Sequence, residues 1–167
     1  MVSGNMIKVI ISMAVVVFLG GIVYLINYNN AAPETQPLTQ GTNMKKLFPI
    51  TITSQLAESK EFYTKLFDFE VVFEADWYIH MRHESGIEIA VMQPKLANQP
   101  EFLHGAYAGE GVVYSFEVDD AKSEYDRLKK LGVNIIYDLK DEEWGQRHFM
   151  LKDPAGMSID VVQQLSQ

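Results

Sequence analysis

The residues able to do chemistry in this 167-residue chain are few, and the absences narrow the choice first. It has no cysteine, which excludes disulfides, thiol nucleophiles and zinc ribbons. Its four histidines are His80, His83, His104 and His148. His148, preceded by Trp144-Gly145-Gln146-Arg147, has no serine or cysteine beside it to suggest a nucleophile pair and is read as an acid/base or binding residue. In an extended segment over 77–82, alternation puts Tyr78, His80 and Arg82 on one face and Trp77, Ile79 and Met81 on the other. The polar face suits either a cleft or a solvated strand edge. Two carboxylates, Glu88 and Asp160, lie in matching contexts, Ile87-Glu88-Ile89 and Ile159-Asp160-Val161. Together they could take up the charge of a cationic ligand or share a proton; equally, they could pair with Arg82 or Arg147. Trp144 offers a stacking wall for a planar ligand, or simply packs its loop.

These side chains must be positioned by the acidic part of the chain. The net charge is −8, and residues 1–43 hold one base, Lys8, and one acid, Glu34, so all of it falls on 44–167. With pI near 4.9 and no basic cluster, nucleic-acid binding is excluded. Residues 9–26 are apolar but for Ser12 and Tyr24. As a helix at about 1.5 Å per residue they would just span a hydrocarbon core of about 30 Å. The expected organisation is a flank at 1–8, a transmembrane helix or signal anchor at 9–26, a flexible linker at 27–43 and one domain at 44–167. The single pass would leave the domain on the extracytoplasmic side, or in the cytoplasm if translation starts at Met44.

Within the domain the periodicities give βαβββ twice. Strand 47–53, helix 58–67 and strands 69–74, 77–82 and 87–92 form a module over about 44–93. Strand 112–118, helix 121–131 and strands 133–137, 148–151 and 158–162 form another over about 112–164. Tyr63 and Leu66 match Tyr125 and Leu128 at an offset of 62; the Glu88 and Asp160 segments match at 72, the extra ten fitting a longer loop around 138–143. Residues 94–111 form the crossover and a candidate lid. The fold class is α+β, with two tandem βαβββ modules whose curved mixed sheets enclose a cleft.

Paired βαβββ units resemble the vicinal oxygen chelate superfamily, which contains glyoxalase I, extradiol dioxygenases, fosfomycin-modifying enzymes and bleomycin-resistance proteins. Ser59-Lys60-Glu61-Phe62-Tyr63 with Leu66 looks like its S-x-x-F-Y-x-x-L helix. Trp144-Gly145-Gln146-Arg147-His148-Phe149 running into Asp153-Pro154-Ala155-Gly156 looks most like the bleomycin-resistance branch. The resemblance implies one metal ligand on each of four strands, and the positions carried over are Phe48, Glu88, Val113 and Asp160. Phenylalanine and valine cannot bind a metal, so no metal or other cofactor is expected; if one binds, Glu88 and Asp160 are the carried-over ligands, with His80 or His148 recruited beside them.

The expectation is therefore a small-molecule-binding protein, sequestering or sensing a cationic or aromatic ligand. Phe48, Tyr78, His80, Glu88, Val113, Trp144, Arg147, His148 and Asp160 would line its cleft, with no catalytic residue assigned. A divergent metal-dependent lyase or dioxygenase is the enzymatic alternative, and a membrane-tethered protein-interaction domain the third. Homodimerisation, common in the resembling family, stays open.

Overall fold

The structure, a computed structural model, describes residues 14–19, 22–27 and 43–165. It divides at Asn43/Met44 into two units. In the first, β1 (Ala14–Leu19) and β2 (Ile22–Asn27) pair antiparallel, Ala14 opposite Asn27 and Leu19 opposite Ile22. This corrects the expectation of one helix over 9–26, of which residues 9–13 and 20–21 lie outside the described residues. Both strands are rich in valine and isoleucine, whose branched Cβ favours extended backbone, and an apolar run alone does not distinguish strand from helix. Among the described residues no helix is long and apolar enough to cross a membrane. The flank 1–8 and linker positions 28–42 also lie outside the described residues.

The second unit follows the expected order. β3 (Ile50–Ile52), α1 (Leu56–Leu66), β4 (Glu70–Ala75), β5 (Tyr78–Arg82) and β6 (Glu88–Met92) form the first module. A single 3₁₀ turn at Glu101–Leu103 interrupts the crossover. β7 (Val113–Glu117), α2 (Ala121–Lys130), β8 (Ile135–Glu142), β9 (Gln146–Lys152) and β10 (Ser158–Gln164) form the second. The sheets run β3-β6-β5-β4 and β7-β10-β9-β8, with β3/β6 and β7/β10 parallel and the other pairs antiparallel. Each helix is thus the crossover of its own module.

Alternation sends one set of side chains from each sheet against the helices. Ile79, Met81, Ile89 and Val91 from the first sheet meet Phe149, Leu151, Ile159 and Val161 from the second in one core with Tyr63 and Leu128. The two sequence motifs also meet there. Tyr63 donates its hydroxyl to Asp153 Oδ2 at 2.8 Å, and Asp153 Oδ1 accepts the Met157 N–H at 2.7 Å. Asp153 and Tyr63 are both buried, so this bond joins α1 of one module to the β9–β10 turn of the other where water cannot compete. Thr51 Oγ1 and Tyr114 Oη, 3.0 Å apart, and Arg127 Nη2 donating to the Leu66 carbonyl at 2.7 Å complete the seam.

The duplication is tighter than the sequence suggested. His83 N–H bonds to Ile87 O and Gly86 N–H to His83 O; Asp153 N–H bonds to Met157 O and Gly156 N–H to Asp153 O. Gly86 and Gly156 take φ +89° and +85°. Likewise Thr53 N–H reaches Met92 O where Val118 N–H reaches Val162 O. The hairpins therefore correspond at an offset of 70 and the first strands at 65. The five inserted residues are spread over the β8–β9 hairpin and not held in one loop around 138–143: β8 is two longer than β4, its turn one longer, and β9 two longer than β5.

Candidate functional site

The sheet faces turned away from the helices carry the polar residues that the core cannot use. On β9 and β10 these are His148 and Asp160, because Phe149, Ile159 and Val161 occupy the alternate, buried positions. His148 Nδ1 lies 2.8 Å from Asp160 Oδ1. A carboxylate only accepts, so Nδ1 carries the proton and the ring is oriented by the pair. Asp160 Oδ2 accepts the Ser115 hydroxyl at 2.9 Å from the neighbouring β7. Across the ring, Nε2 is 3.4 Å from Glu142 Oε1. That carboxylate also accepts the Tyr137 hydroxyl at 3.0 Å and the Lys140 ammonium at 2.9 Å. Lys140 foremost, then Tyr137 and, when its ring is protonated, His148 hold its carboxyl below the ordinary range against the opposing effect of desolvation.

Aromatic rings flank the imidazole, Tyr137 at 5.4 Å and Trp144 at 6.5 Å between centroids. Trp144 is 62% exposed and its indole N–H is held by Gln146 Oε1 at 2.8 Å, so much of the ring faces solvent. Two carboxylates against one ammonium leave this cluster net negative when the imidazole is neutral. Such an arrangement can take up a cation against an aromatic face or orient His148 as a base.

The first sheet carries a second cluster. Glu88, its side chain 8% exposed, accepts Lys46 Nζ at 2.6 Å, His80 Nε2 at 2.7 Å and Arg82 at 2.9 Å. Lys46 above all, with His80 and Arg82, pulls its carboxyl from an ordinary 4.5 to about 2, although burial acts the other way. With Nε2 donating, His80 Nδ1 faces the Tyr78 hydroxyl at 3.4 Å, and the Phe48 ring packs on the imidazole at 4.6 Å. Every strong group here already has a partner within the chain.

Four of the nine expected residues, Phe48, Tyr78, His80 and Glu88, thus gather in one cluster and three, Trp144, His148 and Asp160, in the other. The remaining two fall outside both. Arg147 shares the face of buried Phe149 and forks onto Asp141 at 2.5 and 2.7 Å, because it is one residue from His148 on a strand. Val113 pairs with Ser158, is 51% exposed, and stands two residues from Ser115, the true neighbour of Asp160. At the structural offset of 70, Asp160 corresponds to Ala90, not to Glu88. Among the described residues no ion pair or hydrogen bond links the Glu88 cluster to the Asp160 cluster.

Sequence reasoning missed Lys46, Ser115, Tyr137, Lys140 and Glu142. Tyr137 and Glu142 differ in parity, and a plain strand would put them on opposite faces. The register of β8 on β9 shifts between Tyr137 and Lys140, and this irregularity restores them to one face.

The family model of the Glyoxalase/Bleomycin resistance protein/Dioxygenase superfamily matches residues 49–161. Among solved structures, a glyoxalase/bleomycin resistance protein/dioxygenase from Nocardioides superposes with TM-score 0.64 at 18% identity, over 76% of this chain and 88% of that one. A lactoylglutathione lyase from Agrobacterium tumefaciens gives 0.57 at 21% identity, over 73% and 96%. A virulence protein from Salmonella typhimurium gives 0.58 at 14% identity, over 74% and 100%. No curated protein matches the chain. At these identities the structures speak to the fold, and the family model, covering two duplicated modules joined through the Tyr63–Asp153 bond, speaks to descent: the chain belongs to the Glyoxalase/Bleomycin resistance protein/Dioxygenase superfamily.

Proposed function

We propose that this member binds a small cationic aromatic molecule at the His148 cluster without a resident metal. The observation that carries the reading is the half-open array of Trp144 and Tyr137 beside Glu142, His148 and Asp160, a preformed acidic and aromatic site on rigid strands.

The donors do not fit the metal that many relatives use. Of the carried-over ligand positions Phe48 and Val113 have no donor atom, and Ala90, which the duplication puts level with Asp160, has none either. The oxygens of Glu88 are taken by Lys46, His80 and Arg82, and those of Asp160 by His148 and Ser115. No step is therefore routed through a metal, and the absence of one belongs to the proposal.

Titration of the full chain with benzyltrimethylammonium, followed by Trp144 fluorescence in a Trp77→Phe background, tests the reading. Saturable quenching is expected, weakened about tenfold or more in Glu142→Gln and Tyr137→Leu. Unchanged affinity in both variants would overturn it. Near-stoichiometric manganese, iron, nickel or zinc in the purified protein would overturn the metal-free part and revive a lyase or dioxygenase.

Homodimerisation is part of the same proposal, supported by Ile50, Phe73 and Val113, which are large, apolar and half exposed. Light scattering of the purified chain distinguishes dimer from monomer. The apolar run at 9–26 keeps a lipid-associated, extracytoplasmic location in the proposal whatever its secondary structure, and recovery of the untreated full chain in the soluble fraction would count against it.

A further inference from the structure

We infer that the seam between the modules holds a second ligand site, separate from the His148 cluster, for an uncharged aromatic molecule of one or two rings carrying a carbonyl acceptor. The site is a cavity of about 220 Å³ walled by Phe67, Phe69, Phe116 and Ile87, with His83 and Glu117 in its lining. Phe67 meets Phe116 edge-on at 5.2 Å, and Phe69 lies 6.2 Å from Phe116 and 5.6 Å from the His83 imidazole. A dry apolar cavity of about 150 Å³ accepts benzene, so this one is sized for a ring with a short substituent.

The polar handle is fixed by a local turn. The Ser85 N–H donates to His83 Nδ1 at 3.1 Å, with Ser85 Oγ 2.8 Å from the same atom. Nδ1 is thus an acceptor, the neutral imidazole carries its proton on Nε2, and that proton has no acceptor among the described residues. A carbonyl oxygen on the ligand would supply one.

The duplication places a related cavity, of about 300 Å³, at the equivalent seam of the other module. Thr51, Ile52 and Met157 are the counterparts of Phe116, Glu117 and Ile87. There the crossover brings in an aromatic residue of the chain itself, Tyr107, whose N–H bonds to the Ile52 carbonyl at 2.8 Å. Met157 is correspondingly 3% exposed, whereas Ile87 is 49% exposed. At the Ile87 seam no crossover residue lines the cavity, and a free aromatic ring would stand where Tyr107 stands in the other.

Acetophenone and its near-isostere ethylbenzene, titrated into the full chain and followed by nuclear magnetic resonance of the Ile87 methyls and aromatic protons, provide the test. The expected result is saturable shifts centred on Ile87, Phe69 and Phe116, with acetophenone preferred about fivefold. Ile87→Trp, at a half-exposed position, should abolish both interactions while the melting profile stays cooperative. His83→Phe should keep binding and erase the preference. Shifts centred elsewhere, no saturation by either probe, undiminished binding in Ile87→Trp, or a preference that survives His83→Phe would each overturn the inference. None of these outcomes touches the His148 cluster, which is read by a different probe.

Discussion

Glu88 is held by cationic partners from its own chain. Its carboxyl is drawn to about 2 by Lys46, His80 and Arg82. Since the folded value lies below the ordinary 4.5, the stabilisation it gives is complete above that range and is lost as pH falls towards 2. Glu88→Gln, which leaves Lys46 and Arg82 facing an uncharged amide, should melt below the parent at pH 7, with the gap closing between about pH 4.5 and 2; thermal scans across that range check it. The buried Tyr63–Asp153 bond behaves differently. Burial raises the Asp153 carboxyl even though Tyr63 and backbone N–H groups of Met157, Ala155 and Gly156 pull it down. Tyr63→Phe removes a donor to a buried carboxylate and should cost about 1.5–3 kcal/mol in urea unfolding at pH 7. The loss should shrink in acid, where Asp153 is protonated. The sequence displayed the chemistry of these residues but not their partners. Ile87-Glu88-Ile89 reads as well against Ile159-Asp160-Val161 as against the true match, Met157-Ser158-Ile159, because apolar alternation repeats every two residues and a slip of two leaves every side chain on its face.

At the scale of the element, the legible features were those with a local cause. α2 begins where Asp120 accepts the Ser123 N–H at 3.0 Å and the Ser123 hydroxyl at 2.9 Å. Asp120→Ala should therefore cost about 1 kcal/mol, read by chemical denaturation, whereas the Gln55 cap of α1 makes no side-chain cap bond and Gln55→Ala should cost less. The β5–β6 turn offers a cleaner measure of backbone strain. Gly86 sits at φ +89°, and a Cβ added there would meet nothing within 4 Å, so Gly86→Ala introduces conformational strain without a clash. A loss of about 1–2 kcal/mol is expected. What lacked a local cause was not legible. The register shift in β8 that turns Tyr137 and Glu142 towards His148 arises from pairing with β9, and the strands of the first unit from an apolar run compatible with either backbone. The βαβββ order was visible because helix and strand periodicities alternate; the second half of the site was not, because its face is set by tertiary pairing.

Across residues 44–165, strands and helices pack chiefly within their own module, and a shared buried cluster with a few side-chain bonds joins the two. Tyr63 of the first module bonds to Asp153 of the second, Arg127 of the second to the Leu66 carbonyl of the first, and one buried cluster draws side chains from both sheets. A half of about sixty residues buries too little surface to be stable alone, so neither should persist once the other opens. The chain carries its own reporters, since Trp77 lies in the first module and Trp144 in the second, both exposed enough to be replaced without disturbing the core. In Trp77→Phe and Trp144→Phe, urea unfolding followed by the remaining tryptophan should give superimposable transitions with one midpoint and one slope, as expected of a two-state unit. Curves that separate would mean the modules unfold independently, that the Tyr63–Asp153 and Arg127–Leu66 bonds do not couple them, and that the seam is too weak to hold a ligand site of fixed shape.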